Sequence, residues 1–136
     1  MDFVKLPNGP VRLENTVVPG WLIGSPDDLA STAISIDAGR ITASGGTVVD
    51  LKGAIVFPAF TDMHTHLDKG HIWPRNPNRD GTFPGALDAV RADSTAHWSA
   101  EDVAARMNFA LKSAYAHGTK AIRTHLDSSP PQNDIS

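Results

Sequence analysis

The chain has 136 residues, of which 40% are hydrophobic, and twelve basic residues against fifteen acidic ones give a net charge of −3. This composition is typical of one soluble globular domain and excludes a fully disordered chain. The slight acidity argues against nucleic acid or an anionic membrane surface as the main partner. The lack of cysteine excludes disulfides, thiolate metal ligands and a cysteine nucleophile.

The hydropathy of the chain bears on its compartment. No run approaches the roughly 18 apolar residues of a membrane span. Residues 1–5 do not form a basic segment that leads into an apolar core, as a signal peptide would. We therefore expect a cytoplasmic protein, whose metal ligands, if it has any, are His, Asp or Glu.

Residues 1–57 have the pattern of short strands separated by turns. Asp37-Ala38-Gly39 lies between two strand candidates and predicts a hairpin, with Gly39 in a left-handed conformation. The pattern predicts a small antiparallel β domain. Its candidate strands are Val11–Leu13, Thr16–Val18, Ala33–Ile36, Arg40–Thr42, Thr47–Leu51 and Ala54–Phe57.

Residues 58–136 change to a pattern of strands and helices. A polar strand precedes an irregular stretch rich in Pro, Asn, Gly and Asp, and two helices and a second strand follow. This order is typical of a β-α-β unit with a parallel sheet and a right-handed crossover, so we expect an α/β fold. The predicted segments are a strand at Phe60–Leu67, an irregular stretch at Asp68–Thr82, a short helix at Gly85–Asp93, a helix after Trp98 and a strand at Thr119–Asp127.

The second of these helices has the clearest boundary signals. Ser99 is a good N-cap, and Asp102 stands three residues later, in the capping-box position. Apolar residues recur after it at helical spacing on one face. Gly118 then predicts the end of the helix.

The segment His64-Thr65-His66 carries the strongest chemical signal. Residues i and i+2 of a strand point to the same face, so both imidazoles can be directed at one position. Neutral imidazole suits Zn, Fe, Ni and Cu. The alternative is two histidines on an exposed strand face with no metal, since a metal site needs more ligands than this pair supplies.

Further polar side chains are expected near this histidine pair. Asp62 and Asp68 fall on the same face of an extended strand, and burying that face is costly without a metal or charge partners. On the second strand, Arg123, His125 and Asp127 share a face, and if the opposite, apolar face packs on helices, His125 and Asp127 reach the same strand ends. The alternative is that Arg123 and Asp127 form a scaffold ion pair and that His125 only donates or accepts hydrogen bonds.

These residues resemble a known family. The segment 56–66, Val-Phe-Pro-Ala-Phe-Thr-Asp-Met-His-Thr-His, resembles the first metal-binding strand of the amidohydrolase superfamily, whose usual pattern is Pro-Gly-Phe-x-Asp-x-His-x-His. Ala59 stands where that pattern has Gly. The segments 64–69 and 123–127 narrow the resemblance to the cytosine deaminase-like branch, which includes cytosine deaminase and N-isopropylammelide amidohydrolase. The strands before residue 58 resemble the N-terminal β domain of the family.

The resemblance implies a (β/α)₈ barrel with one divalent metal ion, Zn or Fe. His64 and His66 would be its first two ligands, and Phe83 matches a residue that lines the substrate pocket. Asp68 and His125 are further candidates for the pocket or for supporting the ligands. The implied reaction is hydrolytic deamination of cytosine or a related amino-substituted N-heterocycle, in which the ion lowers the pKa of the attacking water.

Such a barrel needs roughly 250 residues, so the chain resembles the N-terminal third of the enzyme. We expect residues 1–57 to form part of a composite β-sandwich and residues 58–136 to form the first βα units of an incomplete barrel, with the general base beyond residue 136. The expected partners are a small nitrogen heterocycle and either a second copy or the missing C-terminal part. Two alternatives are an inactive module that binds only a metal or a partner chain, and a β/α domain whose His pair is accidental.

Overall fold

The computed structural model describes residues 4–128, 130 and 132–135. The chain divides into two units, Met1–Pro58 and Ala59–Ser136. The first unit contains a four-stranded sheet, and the second contains a two-stranded sheet with two helices. Among the described residues, no helix has the length and apolar character that a membrane crossing requires.

The four-stranded sheet of the first unit has the strand order β3-β2-β1-β4. β2 pairs antiparallel with both β1 and β3, but β4 runs parallel to β1, so the prediction of a purely antiparallel unit is wrong. The link from β3 to β4 passes so close to β1 that a Cβ on Gly46 would lie 2.5 Å from the backbone of Val11. Only glycine fits there, at a φ of +100°. The strands are β1 (Val11–Pro19), β2 (Leu29–Asp37), β3 (Arg40–Thr42) and β4 (Thr47–Asp50).

A bulge joins the two predicted N-terminal strand pieces into the single strand β1. The pairing register with β2 shifts between Leu13 and Thr16. Asn15, between them, has a φ of 52°, and its side-chain amide donates to Asp50 at 2.9 Å. Asn is one of the few residues that adopt this left-handed conformation readily, so it accommodates the extra residue without ending the strand.

The predicted hairpin between β2 and β3 is confirmed. Ala38 and Gly39 have φ values of 47° and 74°, as the two central residues of a type I′ turn require. The predicted strand Ala54–Phe57 is wrong, because only Ile55 forms a parallel bridge, to Val17. β4 pairs with this edge of β1 first. The turn at Gly53 (φ +82°) then interrupts the parallel pairing of the chain with β1, which resumes only at the bridge of Ile55 to Val17.

The second unit has the predicted strand–helix–helix–strand order. Its two strands pair in parallel, as expected for a crossover connection. A closed barrel is not formed by the elements in the described part of the chain. The elements are β5 (Phe60–Thr65), a 3₁₀ turn at Leu67–Lys69, α1 (Phe83–His97), α2 (Ala100–Ala116), β6 (Thr119–Thr124) and a 3₁₀ turn at Gln132–Asp134.

Helix α1 is longer than the sequence predicted. It begins at Phe83 because Thr82 caps it, accepting from the Gly85 amide at 3.0 Å. Pro84 lies in the first turn, where its fixed φ suits a helix and its missing N–H costs nothing. The helix therefore begins two residues before Gly85, where the sequence pattern placed its start.

The boundary signals of α2 are mostly confirmed. Ser99 caps the helix by accepting from the Asp102 amide at 3.2 Å, and Gly118 has a φ of +87° just beyond the end. The capping-box role predicted for the Asp102 side chain is wrong. Its carboxylate binds Arg75 and Arg106 instead, and two guanidinium partners attract it more strongly than one backbone amide does.

Candidate metal and substrate site

Three imidazole rings meet at the ends of the two parallel strands of the second unit. The ring centroids are 5.4 Å apart for His64 and His66, 4.7 Å for His64 and His125, and 5.6 Å for His66 and His125. We refer to these three residues as the histidine cluster. The two motif histidines therefore converge, as their spacing predicts, whereas their role as metal ligands stays a prediction.

An irregularity in β5 contributes to this placement. Asp62 pairs with Ile122 and Thr65 pairs with Thr124, so a step of three residues on β5 faces a step of two on β6. An extra residue of this kind bends a strand and redirects its side chains. Within this part of β5 the Asp62 carboxylate accepts from the His64 amide at 3.1 Å and so supports the backbone where the register shifts. No sequence signal indicated this register shift.

β6 is shorter than predicted, because it ends at Thr124 and not at Asp127. The backbone nevertheless continues alongside β5 for one more residue. The His125 amide donates to the Thr65 carbonyl at 2.9 Å, and this bond holds His125 level with the end of β5. The third histidine is therefore placed by the extension of the parallel pairing.

The histidine cluster affects the protonation of its own members. The pKa of His125 is lowered, first because partial burial disfavours the charged ring and then because His64, Arg123 and His66 repel positive charge. A lowered pKa keeps the imidazole neutral at physiological pH. The neutral ring has a free lone pair on one nitrogen, and this nitrogen can bind a metal ion or a proton.

Asp68 does not share a strand face with the histidines, so that prediction is wrong. The chain leaves β5 after Thr65 and turns into the 3₁₀ segment Leu67–Lys69, which carries Asp68 inward to full burial. Its Oδ2 accepts from the Asp127 amide at 2.9 Å. Its Oδ1 is buried with no hydrogen-bond partner among the described residues.

Phe83 is the first residue of α1, and its side chain is 75% exposed. The stretch from residue 70 to residue 82 that leads to it contains no regular element, as predicted. A pocket role for Phe83 stays a prediction, carried by the resemblance.

The donor atoms of the histidine cluster are imidazole nitrogens, a ligand type that divalent transition metals prefer. His66 Nδ1 is buried and lacks a hydrogen-bond partner within the described residues, and neutral imidazole is a preferred ligand of Zn and Fe. In the parts of the chain that the structure describes, no group of three or more His, Asp or Glu side chains is arranged to hold a metal ion. The chemistry of the donors, taken residue by residue, fits the metal that the resemblance implies.

The charged residues that connect the segment between residues 70 and 82 to helices α1 and α2 were not identified from the sequence. Arg75 donates to Asp93 at 2.7 and 2.8 Å and to Asp102 at 2.6 and 3.0 Å. Trp98 adds an indole N–H bond of 2.7 Å to Asp93, and Arg106 donates to Asp102 at 2.9 Å. We call these five residues the charge network. Only the i, i+4 spacing of Asp102 and Arg106 was readable in advance. The partners of Arg75 are 18 and 27 positions away from it, and Trp98 is five positions from Asp93, which is not a helical contact spacing.

The charge network perturbs its own carboxylates. The hydrogen bonds from Arg75 outweigh burial and lower the pKa of Asp102 to about 2, with help from Arg106. Burial raises the pKa of Asp93, but Arg75 and Trp98 overcome this effect and lower it below its usual value. The same carboxylates raise the pKa of Arg75. All three groups are therefore charged at neutral pH.

The chain matches the profile of the Amidohydrolase family over residues 47–131, more than half of its length. The match includes the His64-Thr65-His66 motif and the strand ends described above. The chain therefore belongs to the amidohydrolase family. Members of this family are generally metal-dependent, which agrees with the donor chemistry of the histidine cluster.

The curated relatives are deaminases. The chain is 64% identical to a pterin deaminase of Rhizobium rhizogenes, over 64% of this chain and 20% of that protein. It is 31% identical to a 5-methylthioadenosine/S-adenosylhomocysteine deaminase of Thermococcus onnurineus, over 43% of this chain and 19% of that protein. The chain thus spans about a fifth of the length of these relatives. No solved structure matches it.

Proposed function

We propose that this chain contributes the first metal ligands of an enzyme that hydrolytically deaminates an amino-substituted N-heterocycle. The observation that carries the proposal is the convergence of three imidazoles where two parallel strands end. In βα folds of the barrel type, catalytic residues gather at the carboxyl ends of the strands. Membership of the amidohydrolase family and the deaminase names of the relatives support the same reaction class.

The reaction balances without a redox partner. Water adds to the ring carbon that bears the amino group, the C–N bond breaks, ammonia leaves, and the ring carbon keeps the oxygen as a carbonyl. A bound Zn or Fe ion lowers the pKa of the attacking water and orients it. His64 and His66 hold that ion in the proposal, and His125, neutral at physiological pH, is placed to accept a hydrogen bond or a proton beside them.

The substrate class is narrowed by the relatives and not by the geometry. The relative at 64% identity carries the name pterin deaminase, and the others carry the name of a purine nucleoside deaminase. Both kinds of substrate are fused bicyclic rings with an exocyclic amine. We therefore propose a bicyclic aminoheterocycle of the pterin type ahead of the monocyclic cytosine that the branch resemblance suggested.

Metal binding and turnover test this proposal in a chimera. This chain replaces the matching region of the Rhizobium rhizogenes pterin deaminase, and the chimera is assayed for metal by elemental analysis and for ammonia release from pterin and cytosine. We expect one Zn or Fe per chain and faster release from pterin. His64→Ala with His66→Ala should remove the metal and the activity together.

The matched control is His117→Ala. His117 lies at the end of α2, where its ring contacts the Ser113 carbonyl at 2.7 Å, outside the histidine cluster. This variant should keep the metal and the turnover. Full activity in the His64→Ala, His66→Ala chimera would refute the proposal, and faster release from cytosine would refute the pterin-type substrate.

A further inference from the structure

The chain segments that follow β5 and β6 are fastened to each other by polar contacts around a buried carboxylate. Asp68 Oδ2 accepts from the Asp127 amide at 2.9 Å, and the Leu67 amide donates to Thr124 Oγ1 at 3.1 Å. The backbone bond from the His125 amide to the Thr65 carbonyl adds a third link between the same two segments. We call the two side-chain contacts, made by Asp68 and Thr124, the strand-end clasp.

The clasp is itself anchored to helix α2. Arg106 donates through Nη1 to the Asp68 carbonyl and, at 2.9 Å, to the Gly70 carbonyl. The guanidinium lies 4.8 Å from the centre of the Trp98 ring and donates to Asp102, so it is held from two other directions. Because Arg106 is only 7% exposed, it has little freedom to release the turn that contains Asp68.

The residues of the strand-end clasp lie next to those of the histidine cluster in sequence. His66 directly precedes the 3₁₀ turn that carries Asp68, and His125 directly follows Thr124. Each clasp residue therefore fixes the backbone next to one imidazole. A shift of either segment along the other would change the separation of the rings.

We propose that Asp68 and Thr124 are positioning residues that set the spacing of His66 and His64 relative to His125. The inference deepens the proposed function, on which its importance for catalysis rests. Asp68 acts by accepting a hydrogen bond and not by its charge, since no cationic side chain among the described residues forms an ion pair with it. An amide at residue 68 retains such an acceptor, and an alanine does not.

Ring-proton nuclear Overhauser effects in the full 136-residue chain, with labelled histidines, measure this spacing directly. The His64 and His125 rings, 4.7 Å apart, should give a cross-peak in the wild type and in Asp68→Asn. Asp68→Ala and Thr124→Val should weaken or abolish it. Asp127→Asn is the matched control, because it removes the ion pair of Asp127 with Lys69 (2.8 Å) but keeps the amide that Asp68 accepts from.

Cobalt(II) titration, followed by its visible absorption, gives the second measurement. Loss of a group that orients metal ligands usually costs about 10–100-fold in affinity, and we expect a loss of this size in Asp68→Ala and none in Asp127→Asn. If Asp68→Ala does not fold, Thr124→Val decides the question. An unchanged cross-peak in Asp68→Ala or, failing that, in Thr124→Val would overturn the inference.

The two measurements separate this inference from the proposed function. A cross-peak that depends on the clasp in a chain that binds no cobalt supports the positioning role and counts against the metal site. Cobalt binding that is lost in His64→Ala but unaffected by Asp68→Ala and Thr124→Val supports the metal site and overturns the positioning role.

Discussion

The two units of this chain bury different kinds of polar group. Among the residues of the first unit that the structure describes, the buried polar ones are Thr16 and Ser35, neutral hydroxyls within a sheet, and the Thr16 hydroxyl donates to the Thr32 carbonyl. In the second unit the buried polar residues include the charged Asp68, Asp93 and Arg106. The comparison teaches that the unit with the candidate site depends on buried ionic contacts, whereas the ion pair Arg12–Glu14 of the sheet is partly exposed to solvent. Removing one partner of a buried ion pair is costly, so the second unit is the more sensitive to substitution and to pH.

The largest effect is expected at Asp93, the fully buried carboxylate of the charge network. Asp93→Ala leaves the Trp98 indole without its acceptor and removes one of the two carboxylate partners of Arg75, so the free energy of unfolding of the second unit should fall by about 3 kcal/mol. Urea unfolding followed by circular dichroism measures the loss. Asp88→Ala is the control, because the Asp88–Arg91 pair is solvent-exposed and should change stability by less than about 0.5 kcal/mol. Equal effects of the two variants would contradict the comparison.

A smaller effect is expected from acid. The pKa of Asp102 is about 2 in the folded state against an ordinary value of 3.8, so its contribution is present above pH 3.8 and disappears as the pH falls toward 2. The second unit should lose about 2 kcal/mol of unfolding free energy over that range. Urea unfolding between pH 5 and pH 2, followed at the Trp98 and Trp21 indole resonances, compares the two units. The unfolding free energy of the second unit should depend less on pH in Asp102→Asn. An equal pH dependence of the unfolding free energy at both indoles of the wild type would contradict the difference between the two units.

The smallest of these effects is expected at a helix cap in the second unit. Ser99→Ala removes the acceptor of the Asp102 amide and should cost about 1 kcal/mol. Ser94→Ala, inside α1, removes a hydroxyl that donates only to the Arg91 carbonyl and should stay within about 0.5 kcal/mol. Thermal unfolding of both variants measures the difference. A larger loss in Ser99→Ala than in Asp93→Ala would show that local capping outweighs buried charge in this unit.

Much of the secondary structure was predictable from local chemistry. The hairpin at Gly39, the cap at Ser99 and the helix end at Gly118 depend on the conformational preferences of one or two residues, which neighbours in sequence determine. The error in the sheet of the first unit has a non-local cause. The parallel pairing of β4 depends on a close approach between Gly46 and Val11, and these residues are far apart in sequence.

In the candidate site, too, some features were predictable from local sequence and others were not. The convergence of His64 and His66 follows from their spacing on an extended chain. The place of Asp68 was mispredicted because the strand pattern was carried two residues too far, into a 3₁₀ turn that Arg106 holds from another helix. A polar residue just after a strand has no local signal that distinguishes a side chain in the site from one that supports the backbone.

The sequence by itself determined the chemistry of this protein: the His-x-His pair, the α/β order of the second unit and membership of the amidohydrolase family, because residue types and short spacings carry that information. Only the tertiary structure decided how closely His125 approaches the pair, that Asp68 is fully buried, and that Arg75 links Asp93 to Asp102. These contacts join residues that are 18 to 61 positions apart, and their formation depends on how strands and helices pack and not on local preference.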